Sequence, residues 1–173
     1  MSVDPLENKS PNVSMNISLQ EGFLDLKKFE KVKILHNWKF GFVYEVLEKE
    51  QGYTLNARIS KNIIANYSND ELAYLTQDLN VLSRFSHPLI MKTLGYSPIN
   101  FNNLPNPVIV TEFLPTTLSD KIHSGLTSTQ KLIIIHGIAS AMSYLHSHDI
   151  IHRDLTTNNI LIDINNLPKL ANF

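Results

Sequence analysis

Between Ile150 and Asp163 the chain reads Ile-Ile-His-Arg-Asp-Leu-Thr-Thr-Asn-Asn-Ile-Leu-Ile-Asp, a polar stretch set between two apolar runs. Asp154 is a carboxylate, the residue type that takes a proton from a reacting hydroxyl. Asn159, five positions on, carries an amide oxygen of the kind that can ligate a hard cation. His152 and Arg153 directly precede the carboxylate, and Asn172 supplies a second amide eighteen positions after it. Such a constellation can act only if the elements around it hold it in place.

Composition limits what those elements can be. A chain of 173 residues with 43% hydrophobic content can bury a single core, so one globular unit is expected. Fifteen basic and sixteen acidic side chains give a formal charge of -1, leaving no basic field for nucleic acid or an anionic membrane. The densest apolar run, Leu132 to Ile135, is far too short to span a bilayer. With no cysteine and no secretory h-region, a reducing, cytoplasmic setting is expected, and the sequons at Asn12, Asn16 and Asn66 read as chance.

Residues 1–22 are polar, carry Pro5 and Pro11 and show no sustained periodicity, so a flexible leader is expected, with order starting near Phe23. Lys31 to Leu35, Gly41 to Leu47 and Tyr53 to Ser60 read as an antiparallel meander. Ser68 to Phe85 spaces Leu72, Leu75, Leu79, Leu82 and Phe85 at helical intervals behind a capping box of Ser68 and Glu71. Leu89 to Tyr96 and Val108 to Phe113 read as two further strands. Thr127 and Gln130 form a second capping box, opening a helix to about Ser147 with Leu132, Ile135, Ile138, Ala139, Met142 and Leu145 on one side. That helix delivers the chain to the Asp154 loop.

His152-Arg-Asp-Leu-Thr-Thr-Asn-Asn159 matches the H-R-D-L-x-x-x-N catalytic loop of protein kinases at every fixed position, and the order of elements resembles that fold from about Phe23 to Phe173. The phrasing of Ala141 to Leu155 looks most like the tyrosine-kinase-like group of serine/threonine kinases. The implied fold is α+β: a complete small lobe of five antiparallel strands plus one helix, residues 23–113 with the hinge, and the start of a helical large lobe, residues 114–173. The resemblance implies ATP and Mg2+ as cofactors. It makes Asp154 the proton acceptor, with Arg153 and His152 completing the loop, and Asn159 a magnesium ligand. Gly41 would end the glycine-rich loop, Val43 and Leu161 would sandwich the purine, and Thr111, Glu112 and Leu114 would form gatekeeper and hinge. Arg58 stands where the family has its strand-three lysine, Asp78 where it has the helix glutamate, and Asn172 where it has the metal-binding aspartate of D-F-G.

Several of these positions depart from the family pattern. The glycine loop reads His36-Asn-Trp38-Lys-Phe-Gly41, so two of three glycines are replaced where backbone must approach phosphate closely. His36 and Trp38 are either turned to solvent or crowd the phosphates. Arg58 keeps the charge of the lysine with a different donor geometry, and Asp78 is one methylene shorter than glutamate, so the two changes compensate if the pair forms. Asn56 replaces the small residue over the purine, where a buried amide needs partners. Asn172 gives magnesium an oxygen without a charge, and Thr156 replaces the usual lysine of the catalytic loop. Weakened ATP binding and an impaired Mg2+ site follow. His146, His148 and His152 do not read as a metal site, because the loop already accounts for His152.

The chain reaches Phe173 without the activation segment and helical platform that kinases carry further on, so the apolar side of the long helix is expected to be exposed. Three readings stay open: an ATP-dependent serine/threonine phosphotransferase; a pseudokinase-like fragment serving as a scaffold, docked on another kinase or on a protein covering that helix; and a truncated remnant without function of its own.

Overall fold

The computed structural model describes residues 23–38 and 40–172; the side chains of Trp38, Tyr74, Thr76, Gln77, Asp78, Asn80, Val81, Leu82 and Ser83 lie outside that description. The leader read over residues 1–22, and Phe173, also lie outside the described residues. Strands β1 (Phe29–Trp38), β2 (Gly41–Glu48), β3 (Thr54–Ser60), β4 (Thr93–Ser97) and β5 (Val108–Glu112) form one antiparallel sheet in the order β1-β2-β3-β5-β4. Helix α1 (Asn69–Arg84) lies between β3 and β4 in the chain. Beyond the sheet come β6 (Thr116–Thr117), α2 (Leu118–Ser124), α3 (Ser128–His146), β7 (Ile160–Ile162) and β8 (Pro168–Leu170), with β6-β7-β8 making a small second sheet.

Alternation along the strands divides the core. Val108 and Val110 of β5 join Val46, Leu55, Ala57 and Ile59 on the outer face of the large sheet, under Leu26 and Phe29. Ile109, between those two valines, enters a second cluster with Leu79, Ile90 and Tyr96. That cluster continues through Ile134, Ala141 and Leu145 of α3 to Ile160, Ile162 and Leu170, so one apolar body runs from the sheet to the loop carrying Asp154.

Both expected capping boxes form. Ser68 Oγ accepts from Glu71 N–H at 3.2 Å while Glu71 Oε2 accepts from Ser68 N–H at 2.8 Å. Thr127 Oγ1 and Gln130 Oε1 do the same at 3.2 and 3.0 Å.

Three expectations need correction. Strand β1 runs on to Trp38, pairing His36 with Val43, Asn37 with Phe42 and Trp38 with Gly41; residues that carry a Cβ sustain a ladder that a glycine-rich segment does not favour. Leu89 to Met91 is not part of β4. It crosses to β8, with Leu170 N–H donating to Leu89 O and Met91 N–H to Leu170 O, both at 2.9 Å.

The third concerns α3, whose buried stripe is Ile134, Gly137, Ala141 and Leu145 at the i, i+3, i+4 spacing of one face. Leu132 and Ile135 point outward, 69% and 64% exposed, and Ala139 is exposed beside them. The stripe turns inward at Gly137 because α3 runs close over β8: a Cβ there would lie 2.5 Å from Pro168 Cγ.

Candidate active site

The large and small sheets meet around a cleft of about 50 Å3, room for a few water molecules, lined by His36, Val43, Asn56, Arg58, Thr111, Leu161 and Asn172 among others. Strand register explains the convergence. Val43 and Arg58 are Cα partners across β2 and β3, and Asn56 and Thr111 across β3 and β5, so each pair shares one face. Leu161 rises from β7 opposite them. Gly41 begins β2 at the turn and is not among the cleft-lining residues. Met91, Thr117, Asn158 and Ala171 also line the cleft, and no local sequence signal marks them.

Asn56 is 7% exposed and its Oδ1 has no hydrogen-bond partner among the described residues. Arg58 is equally buried. The side chain of Asp78, read as its ion-pair partner, lies outside the described residues, as does the indole of Trp38. His36 is exposed at the rim of the cleft. Partial burial of its ring, and then the charge of Arg58, hold its pKa below the ordinary histidine value.

Glu112, read from the sequence as part of the hinge, is fixed from two sides. Glu112 turns its carboxylate to Lys169 of β8, with Nζ at 2.8 and 3.0 Å from the two oxygens, and Oε1 also accepts from Lys92 N–H at 2.7 Å. Thr111, 1% exposed, donates its hydroxyl to Glu112 O at 3.3 Å. Leu114 packs its side chain below the cleft with Met91 and Ala171, and Leu161 lies against them. Charge complementarity between Lys169 and Glu112, 57 residues apart, had no local signature.

The loop after α3 gathers the remaining residues. His152 is 1% exposed, while Arg153 and Asp154 are exposed. Arg153 adopts φ 66° and Asn172 φ 60°, a left-handed backbone that asparagine tolerates better than arginine. Asn159 Nδ2 donates to Asp154 Oδ2 at 2.7 Å and to Asp154 O at 2.8 Å. Asn159 Oδ1 in turn accepts from Asn172 Nδ2 at 2.8 Å, and Ala171 N–H donates to Asn159 O at 3.0 Å. Asp154, Asn159 and Asn172, separate in sequence, thus form one chain of side-chain hydrogen bonds. The exposed His146 and His148 lie apart from it, His148 meeting Tyr144 at a tilt and Phe85 edge to face with ring centres 4.5 and 4.9 Å away.

A two-lobed arrangement with the Asp154 loop facing a five-stranded sheet defines the protein kinase class. The family model described as protein tyrosine and serine/threonine kinase matches residues 29–173, and the chain belongs to that family. It is 30% identical to an Aurora kinase of Candida glabrata, over all of this chain and 49% of that protein. A probable serine/threonine-protein kinase of Dictyostelium discoideum is 29% identical over 94% of the chain and 30% of its own length. A tyrosine-protein kinase receptor of Caenorhabditis elegans is 24% identical over 92% of the chain and 14% of its own length. The chain therefore spans at most about half the length of these relatives, which include serine/threonine and tyrosine kinases. No described helix is long and apolar enough to cross a membrane.

Proposed function

We propose that this protein kinase domain has a site closed by amides in place of magnesium, and that it acts as a pseudokinase-like module rather than a phosphotransferase. In this reading residues 23–113 are the small lobe with the hinge, residues 114–173 begin the large lobe, and the setting is cytoplasmic. Asp154, with Arg153 and His152, holds the place of the catalytic loop. Gly41, Val43, Arg58, Asp78, Thr111, Glu112, Leu114 and Leu161 are assigned to a weakened nucleotide site, an assignment supported by Val43, Arg58, Thr111 and Leu161 lining the cleft.

The observation that carries the reading is the 2.8 Å bond from Asn172 Nδ2 to Asn159 Oδ1. Magnesium is held by oxygen lone pairs, preferably those of carboxylates. Here Asn159 Oδ1 already accepts an N–H from Asn172, which occupies one of its two lone pairs, and Asn172 brings no negative charge. Asp154 is the sole carboxylate of the hydrogen-bonded chain, and one of its oxygens accepts from Asn159. The residues present do not fit a magnesium ion.

Thermal unfolding with ATP, with and without magnesium, tests this, because a ligand bound only to the folded state raises Tm. The expected outcome is a shift that magnesium does not enlarge. Asn172→Asp removes the amide donor and adds a charge, and it should confer a magnesium-dependent increment. A wild-type shift that grows with magnesium would falsify the reading and restore phosphotransfer to serine or threonine as the function.

A second role, docking on another protein, draws support from the exposed Leu132, Ile133 and Ile135 on the outer side of α3. Leu132→Lys with Ile135→Lys should abolish any association seen by light scattering and leave Tm unchanged. Association that persists in the double variant would remove α3 as the docking surface.

A further inference from the structure

The large sheet carries a second concavity on the face turned away from the cleft. Phe42 and Tyr44 of β2 line it, whereas Val43 between them lines the cleft; Ile59 and Arg58 of β3 divide in the same way. Its volume is about 270 Å3, several times that of the cleft.

Two ammonium groups sit in it on aromatic faces. Lys31 Nζ lies 5.1 Å from the centre of the Tyr44 ring and 5.6 Å from that of Phe101, and Lys61 Nζ lies 5.2 Å from the centre of Phe42. Ring contacts of this kind hold a cation in place without neutralising it. No carboxylate lines the concavity, and neither lysine makes an ion pair among the described residues.

The opposite wall is a loop pinned by its own amides. Asn100 Oδ1 accepts from the N–H groups of Asn102 and Leu104 at 2.8 and 3.2 Å. The buried Asn106 donates Nδ2 to Ser60 O and Lys61 O at 3.2 and 3.0 Å and accepts from Asn100 Nδ2 at 3.2 Å. Phe101 is thereby fixed over the sheet before any ligand arrives, which lowers the ordering cost of binding.

Two unneutralised cations in a concave site focus a positive potential although the whole chain is close to neutral. Two ammonium groups call for a dianion. The rings that carry them stand two residues apart on the same face of β2, about 7 Å, and both lysines line the one concavity, so a single charge-assisted ligand can engage the two ammonium groups together. The volume suits a small molecule rather than a folded partner. We propose that this concavity binds a small phosphate monoester, its phosphate between Lys31 and Lys61 and its organic part against Phe101. The site is independent of the nucleotide cleft and of the reading given above.

Calorimetric titration of the 173-residue chain with phenyl phosphate tests the proposal, with inorganic phosphate and phenol titrated alongside. Saturable binding is expected, weakened by added salt, tighter than for either fragment, and reduced about tenfold by Lys31→Met or Lys61→Met. Both variants keep the aliphatic stem of an exposed side chain, and an unchanged Tm shows that each is folded. No saturable heat by about 10 mM, or binding in both variants equal to wild type, overturns the site. Inorganic phosphate binding as tightly as phenyl phosphate overturns the assignment to a monoester.

Discussion

The two walls of the cleft are held together differently. The floor is fixed by groups that also join the two sheets: Leu114, Met91 and Ala171 pack as one buried cluster, and Glu112 is bonded to both Lys169 and Lys92. On the roof Asn56 leaves Oδ1 without a hydrogen-bond partner among the described residues, and at the far end Asn159 bonds to Asp154 and to Asn172 in one local chain. A change in the floor disturbs the whole molecule; a change in the roof or the amide chain disturbs chiefly what the cleft can bind. Stability and ligand chemistry are thus carried by different walls of one small cavity.

The strongest way to break the floor is at its support. Gly137→Leu pushes a side chain into Pro168 and should cost about 3 kcal/mol, lowering Tm by about 10 °C. An unchanged Tm would mean that α3 can slide away from β8 without loss. Glu112→Gln leaves Lys169 partly buried without its countercharge and should cost about 2 kcal/mol. The double variant with Lys169→Gln should lose less than the sum of the two single variants; strict additivity would separate hinge from floor.

On the roof, Asn56→Ala should leave stability within about 1 kcal/mol of wild type, because it removes a buried acceptor that has no partner, while adenosine binding tightens in calorimetric titration. A larger loss of stability would place the roof among the structural elements. The smallest effect concerns His36, whose folded-state pKa lies below the ordinary 6.5. The unfolded chain then binds the proton more readily, so this contribution is fully present above about pH 6.5 and is lost as pH falls below it. Tm should drop more between pH 7.5 and 5.5 for wild type than for His36→Gln. Equal drops would detach His36 from Arg58.

Local signals carried much of the fold. Ser68 with Glu71 and Thr127 with Gln130 marked two helices at their first turns, and Gly41 to Ser60 paired antiparallel as expected. The Thr117 and Asp120 capping box of α2 was equally present in sequence, but a helix as short as Leu118–Ser124 has too few turns to show a period. What pattern reading cannot reach is pairing over long separations. Leu89 to Met91 reads as strand, yet its partner is β8, about eighty residues on. Asn56 and Asn172 were visible as departures from the family motif and Asn159 as a match to it, but the bonds that link Asp154 to Asn159 and Asn159 to Asn172 form where the backbone turns left-handed at Arg153 and Asn172.

Strand β8 also bears on the order in which the molecule takes shape during synthesis. The sheet from β1 to β5 is complete once Glu112 has left the ribosome, and its ladders need nothing made later. The main-chain groups of Leu89 and Met91, the carboxylate of Glu112 and the face of α3 at Gly137 all wait for Pro168 to Leu170. Three residues made after the elements they join therefore act as the bolt of the whole assembly, and a nascent chain stalled before them holds a formed small lobe beside an unsecured helix.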